Sequence, residues 1–382
     1  MVTSGRPPQI RFSCPNPVGN EMTYLAQALR GETISGGGPF SIQCERWLAD
    51  ITRAEHVHLV QSATVGLELA ALLGGIGPGD EVILPSFTFV SCANAIALRG
   101  AIPVFVEIDA QTLNLDPSAA EAAITERTRA IIAVHYAGVP CEMDAIRALA
   151  DRHGLLVIED AAQALLSTYR GRPAGSLGDI GVFSFHDTKN VSCGEGGAVI
   201  VNAPSLVHSA EIAHQKGTDR AAFDRGARAQ YTWVDLGSSY MPSEITAAVL
   251  LAQFEQARAI TECRRMIWEK YDAAFAPLEA AGRLRRPVIP GHVAHNGHLF
   301  YLLLENKKDR DSFIERMSEK GITTPFHYVP LHNAPGGLRY GRAAGNLSIS
   351  DSVASRLVRM PLWPGVSTLQ DRVIETAIAA LR

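Results

Sequence analysis

Lysine is scarce in this chain: of 35 basic side chains only six are lysines, Lys189, Lys216, Lys270, Lys307, Lys308 and Lys320. Chemistry that needs a reactive amine therefore has few places to reside. An excess of one charge sign is also missing, since 35 basic residues face 39 acidic ones for a net charge of −4. That balance excludes a protein that coats nucleic acid, and it requires any anion site to gather its cations locally. No stretch reaches the run of about 18 consecutive apolar residues that a membrane helix needs, and the amino-terminal MVTSGRPPQIRFSCPN lacks the apolar core of a secretion signal. The six cysteines, Cys14, Cys44, Cys92, Cys141, Cys193 and Cys263, form no CxxC pair and have no histidine cluster beside them. Neither a zinc site nor a disulfide framework is indicated, and free thiols in a reducing cytoplasm are expected. Internal repeats and low-complexity tracts are absent as well.

What is present is 382 residues, 47% of them hydrophobic and 19% charged, a globular composition long enough for one large domain or two joined ones at roughly 100 to 200 residues each. Short apolar runs alternate with helical stretches. EVILP (81–85), IPVFVEI (102–108), AIIAV (130–134), LLVIE (155–159), GVFSF (181–185) and AVIVN (198–202) are bounded by Gly, Pro, Asp or Asn, as strands buried on both faces are. Between them CEMDAIRALADRHG (141–154) carries Met143, Ile146, Leu149 and Ala150 at helical spacing and stops at Gly154. The pattern predicts an α/β layer with a mostly parallel central sheet over residues 1–255. A long helical stretch over 243–282 then leads into a smaller α+β domain, 256–382, with a strand at 298–305, a helix at 309–321 and a loop at 330–341.

Ligands of open α/β sheets collect at the carboxyl ends of the strands, where His135, Asp160, Ser184, His186 and Lys189 fall. Lys189 lies between a strand and a Gly-rich loop. It reads either as a desolvated amine able to form a Schiff base or as an ordinary exposed lysine. Asp160 reads as the partner of a protonated ring nitrogen or as the cap of the helix beginning at Ala161. In LVQSATVGLELAALL, Ser62, Ala63 and Thr64 open a helix whose free N–H groups suit a phosphate. Phe87 and Phe89 offer rings that either stack on a flat heterocycle or fill core. An amine, a carboxylate, a phosphate cradle and an aromatic plate are together the parts that pyridoxal 5'-phosphate requires.

The segments PGDEVILPSFTFVSCANAI (78–96), VHYAG (134–138), VIEDAAQA (157–164), FSFHDTKNVSCGEGG (183–197) and FHYVPLH (326–332) resemble, in order, those of the fold-type-I, pyridoxal-phosphate-dependent nucleotide-sugar aminotransferases, the DegT/DnrJ/EryC1/StrS family. Residues 216–240 look most like the transaminases of enterobacterial common antigen type, which aminate C-4 of a dTDP-4-keto-6-deoxyhexose. The resemblance implies the aspartate aminotransferase-like fold, with Lys189 as the Schiff-base lysine and proton carrier. It places Asp160 at the pyridine nitrogen, Gln163 near the ring hydroxyl, Phe89 on the ring face, and Ala63, Thr64 and Ser184 at the phosphate.

A further phosphate contact comes, in the family, from a partner-subunit asparagine in a Gly-Tyr-Asn-Tyr motif. Here that motif reads Gly237-Ser238-Ser239-Tyr240, with Ser239 in the asparagine's place and Met241 where an arginine often follows. The resemblance further implies a cytoplasmic homodimer with shared sites, L-glutamate as amino donor and a nucleotide sugar as acceptor, with no nucleic-acid or membrane partner.

For the nucleotide sugar, residues 216–228 carry Lys216, Arg220, Arg225 and Arg228 against Asp219 and Asp224. This stretch reads as substrate contact, with Tyr231 beside it, or as an exposed salt-bridged loop. His327, Tyr328 and His332 line either the sugar pocket or a packed seam between domains. Two further activities share the fold: a pyridoxal-dependent sugar dehydratase, whose relatives carry histidine in place of the lysine, and a non-catalytic binding protein.

Overall fold

The computed structural model describes residues 9–381; the first eight residues of the amino-terminal segment discussed above lie outside them. Seven strands build the central sheet: β1 (Val57–Val60), β2 (Glu81–Pro85), β3 (Ile102–Val106), β4 (Thr128–Val134), β5 (Leu156–Asp160), β6 (Ile180–Ser184) and β7 (Gly197–Val201). Their spatial order is β1-β7-β6-β5-β4-β2-β3, with Arg342–Ala343 added in parallel beyond β3. The pairs from β6 through to β3 are parallel, whereas β7 runs antiparallel to both β6 and β1. Parallel neighbours need a crossover, and helices Val90–Ala97 and Met143–His153 supply it after β2 and β4. A loop alone joins β6 to β7, so that pair turns back on itself.

Side chains alternate across the sheet, and both faces are apolar. Val82, Ile158, Val182 and Val199 pack under the helix Ala63–Leu73 on one face, while Ile83, Ile131 and Val157 face the other way. This two-sided burial is why the strands read as unbroken apolar runs.

The stretch expected as one helix over 243–282 is two, Glu244–Glu255 and Ala257–Ala280, divided at Gln256, whose backbone leaves the helical region. The first is buried along most of its length. Its Glu244 carboxylate accepts hydrogen bonds from the backbone N–H groups of Gly38, Phe40 and Ser41, at 3.1, 2.8 and 3.0 Å, at the start of helix Pro39–Thr52. The second helix contributes Ile267, Tyr271 and Phe275 to a separate core with Phe300, Phe313, Val358 and Val373. That core rests on an antiparallel sheet of Leu284–Arg285, Tyr301–Leu304 and Leu357–Arg359.

Two segments cross between the cores. Ile10 belongs to the carboxyl-terminal core and bridges to Ile322, and Arg342–Ala343 extends the central sheet. The expected loop at 330–341 contains a helical turn, Leu331–Asn333, and a short helix, Pro335–Tyr340. Gly337 permits that arrangement, since a Cβ there would stand 1.8 Å from the Leu331 carbonyl oxygen. None of the described helices is long and apolar enough to cross a membrane.

Candidate active site

In chain order the sheet grows outward from β2 to β3, then changes direction to place β4, β5 and β6 on the other side of β2. Such a reversal opens a crevice at the carboxyl ends of the strands. Phe87 and Phe89 follow β2, Tyr136 follows β4, and Asp160 and Ser184 end β5 and β6.

Asp160 is buried, and its two oxygens have separate tasks. Oδ1 accepts the Ala162 N–H at 3.0 Å, the capping role, while Oδ2 faces the thiol of Cys92 at 3.0 Å. The two readings of Asp160 are therefore compatible, because capping occupies only one oxygen. Burial, with the neighbouring Asp160 charge, pushes the Cys92 thiol far above its usual range, so it remains a protonated donor.

Lys189 follows in the loop between β6 and β7, where its N–H donates to the His186 carbonyl at 2.9 Å. The next residue fastens the loop: Asn190 Nδ2 donates to the Asn296 carbonyl at 3.0 Å, and its Oδ1 meets His298 Nδ1 at 2.9 Å. Among the six lysines only Lys189 is partly withdrawn from solvent; the other five are exposed. Desolvation lowers its pKa, the Asp160 carboxylate opposes that shift and the Arg359 charge reinforces it. The amine is thus more readily neutral, hence nucleophilic, than a surface lysine.

The end of β6 and the start of helix Ala63–Leu73 lie close together. Gly197 pairs across the ladder with Ser184, and a Cβ at 197 would lie 2.6 Å from the Ala63 nitrogen and 2.6 Å from the Ser62 carbonyl carbon. The missing side chain lets the start of helix Ala63–Leu73 approach the end of β6. Ser62 caps that helix through the Val65 N–H, and Thr64 Oγ1 lies 2.8 Å from Ser91 Oγ. Gln163 Oε1 accepts the Ala137 N–H at 2.7 Å, and its Nε2 donates to the Tyr328 hydroxyl at 3.1 Å. The two phenylalanines separate clearly: Phe87 is 1% exposed and fills core, whereas Phe89 is 55% exposed with its ring centroid 6.3 Å from that of Tyr328. A withdrawn amine, a buried carboxylate, a helix start let in by glycine and an open aromatic face fit the charges and shape of pyridoxal phosphate.

The remaining residues fall into two groups. His327 and Tyr328 join the crevice, His327 Nδ1 lying 3.1 Å from the Tyr136 hydroxyl. His332 sits beside it, with Nδ1 2.6 Å from Ser86 Oγ and Nε2 3.5 Å from Asp351. Lys216, Arg220 and Tyr231 are exposed and make no hydrogen bond or ion pair to Lys189, Asp160 or Gln163. Within that segment Arg220 lies over the Tyr231 ring at 5.6 Å and pairs with Asp224, while Arg225 pairs with Glu211 and Arg228 with Asp219. Ser239 is also exposed; its carbonyl accepts from Gln61 Nε2 at 2.9 Å, which holds this backbone close to the Ala63 helix of its own chain. Cys92, Asn190, Tyr136 and Arg359 stand outside the roles that the sequence implies. Of these only Arg359 has a signal, a lone charge inside the apolar run LVRMPLW.

Known structures share the architecture that carries these residues. The putative sugar aminotransferase Spr1654 of Streptococcus pneumoniae, solved in PLP and PMP forms, superposes in its PLP form with a TM-score of 0.89 at 28% identity over 98% of each chain. DesV of S. venezuelae, solved with a ketimine intermediate, gives 0.86 at 34% identity over 95% of each chain. DesI, solved in the presence of its TDP-sugar product, gives 0.86 at 30% identity over 98% of this chain and 93% of its own. The architecture is therefore the fold-type-I one expected. The model of the DegT/DnrJ/EryC1/StrS aminotransferase family matches residues 17–378, and the chain belongs to that family.

Proposed function

We propose that this sugar aminotransferase uses pyridoxal phosphate to move the amine of L-glutamate to C-4 of a nucleotide-linked 4-keto-6-deoxyhexose. From dTDP-4-keto-6-deoxy-D-glucose it would give dTDP-4-amino-4,6-dideoxyhexose and 2-oxoglutarate, as in the enterobacterial common antigen subgroup. The observation that carries the aminotransferase chemistry is Lys189, the one lysine partly withdrawn from solvent, held in the same crevice as buried Asp160. The nucleotide sugar is supported by DesI and its TDP-sugar product.

Lys189 would hold the cofactor covalently, with Asp160 at its ring nitrogen, Gln163 by the ring hydroxyl, Phe89 on its face, and Ala63, Thr64 and Ser184 at its phosphate. The bound group supplies an electron sink for the carbanion formed when a substrate carbon loses its proton. Asp160 Oδ2 holds negative charge where a protonated ring nitrogen needs it, and Cys92 orients that oxygen. The Lys189 amine takes the proton from glutamate's α-carbon and delivers one to the sugar carbon. Phe89, Tyr328 and His327 exclude water from that transfer. Glutamate and sugar use one site in turn, so ping-pong kinetics follow.

Lys216, Arg220 and Tyr231 would meet the nucleotide diphosphate, and His327, Tyr328 and His332 the sugar. Ser239 would reach the phosphate of a partner's site in a cytoplasmic homodimer of two-domain subunits, 1–255 and 256–382. Incubation with dTDP-4-keto-6-deoxyglucose and glutamate, followed by NMR couplings at the aminated carbon, tests the reading. An amine at another carbon, or glutamate left unconverted to 2-oxoglutarate, defeats it.

A further inference from the structure

Helix Ser348–Arg356 carries Ser348, Ser352 and Arg356 at successive four-residue steps, so two hydroxyls and a guanidinium fall on one face, with Ile349 and Val353 beside them. Its first turn is already closed, because the Glu107 carboxylate accepts the Ile349 N–H at 2.7 Å and the Ser350 N–H at 2.9 Å. These five residues line a cavity of about 320 Å³ together with Arg285, which comes from the strand Leu284–Arg285, and Ala110, which lies beyond β3. That volume falls in the range of small-molecule sites, about 300 to 1,000 Å³.

Both arginines lack an anion. Arg285 Nε and Nη2 are buried without a hydrogen-bond partner, and Arg356 makes one bond, from Nε to the Ser352 carbonyl at 3.3 Å. The acids nearby in the chain are engaged elsewhere. Asp109 Oδ1 accepts the Thr112 N–H at 2.7 Å and its hydroxyl at 2.8 Å, Glu279 pairs with Arg286 at 2.7 Å, and Asp351 accepts from Asn333 Nδ2 at 2.7 Å. Among the described residues neither the Ser348 nor the Ser352 hydroxyl has a hydrogen-bond partner.

Buried guanidinium nitrogens without an acceptor are costly, and two like charges lining one small space repel. An anion relieves both. A carboxylate would cancel one of the two charges, whereas a phosphate dianion cancels both and offers enough oxygens for two forks and two hydroxyls.

We propose that this cavity binds a phosphate dianion, with Arg285 and Arg356 on its oxygens, Ser348 and Ser352 donating to them, and the carbon skeleton of a phosphate monoester over Ile349 and Val353. None of these residues belongs to the Lys189 crevice, so the assignment does not rest on the aminotransferase reading.

The test titrates glucose 1-phosphate into the cofactor-loaded protein by calorimetry, at one chloride concentration so that screening stays constant. Arg285→Gln and Arg356→Gln should each raise Kd about 10- to 100-fold, the loss of charge-assisted hydrogen bonds. Arg285→Lys should recover part of that loss, and Ser352→Ala should raise Kd about 2- to 10-fold. Transamination should continue at the parent rate in all four. Inorganic phosphate is the second probe: tighter binding of the ester assigns the cavity to a phosphorylated metabolite, equal binding assigns it to the free ion, and either result supports the site. No binding of either probe, or a Kd unchanged in both glutamine variants, overturns it. So does a Kd raised only by Arg220→Gln, which would place the probe where the nucleotide diphosphate is expected. Should Arg285→Gln fail to fold, Arg356→Gln, on a partly exposed helix, decides alone. Protein that binds glucose 1-phosphate but leaves glutamate unconverted brings down the aminotransferase reading and leaves this site standing.

Discussion

The thiol of Cys92 and the carboxylate of Asp160 meet at 3.0 Å, sulfur to Oδ2, on the oxygen that the capping bond to Ala162 leaves free. Asp160 is thereby oriented before any ring nitrogen reaches it. Cys92→Ala removes that donor from a buried carboxylate and should cost the cofactor-free protein about 1 to 3 kcal/mol. A ring nitrogen would take over the vacant oxygen, so the gap in Tm between free and loaded protein should widen, and Cys92→Ser should close it again. Equal gaps in Cys92→Ala and the parent protein would show that the thiol contributes nothing to the carboxylate.

Gly197→Ala probes the phosphate cradle. The added Cβ would meet the Ala63 nitrogen and Ser62 carbonyl carbon at 2.6 Å, so the helix start must move away from Ser184. Displacing packed backbone costs about 1 to 3 kcal/mol. Titration of cofactor-free protein with pyridoxal phosphate, read by fluorescence, should show Kd rising about 10- to 100-fold.

Lys189→Ala should lower transamination about 1000-fold or more, since both the covalent attachment and the proton carrier are lost. Borohydride treatment followed by peptide mapping should label the parent protein at Lys189 and the variant nowhere.

The histidine pair His58 and His214, with ring centroids 4.8 Å apart, sets an acid limit. Burial, with the charges of His214 and His56, lowers the His58 pKa from 6.5 to about 3. Between those values the unfolded chain binds a proton that the folded one does not. This contribution is therefore fully present above pH 6.5 and is lost as pH falls toward 3, at about 1.4 kcal/mol per pH unit. His58→Phe should flatten the decline of stability between pH 6 and 4, measured by urea unfolding.

Much of this arrangement was legible in the chain because the central residues of β2 to β7 are buried on both faces and therefore apolar. β1 escaped notice: His56 and His58 interrupt its pattern in HVHLV, and one of the two lies against His214. The antiparallel direction of β7 is a property of pairing, which no run of residues encodes locally. Asp160 and Lys189 could be found because their chemistry is unusual beside apolar strands. Cys92 and Asn190 are small residues whose roles exist only through residues distant in the chain, Asp160 for one and Asn296 and His298 for the other. The segment 216–240 shows the reverse, for its cations were easily read but most are paired with nearby acids on the surface.

The bridge between Ile10 and Ile322 orders events during synthesis. Ile10 is made about three hundred residues before the peptide groups it bonds at Gly321 and Thr323. The central sheet is translated in the interval, so its strands can pair while the leading segment still waits. Closure of that contact would report that the chain has been made at least through Thr323 and that the strands between have had time to pair.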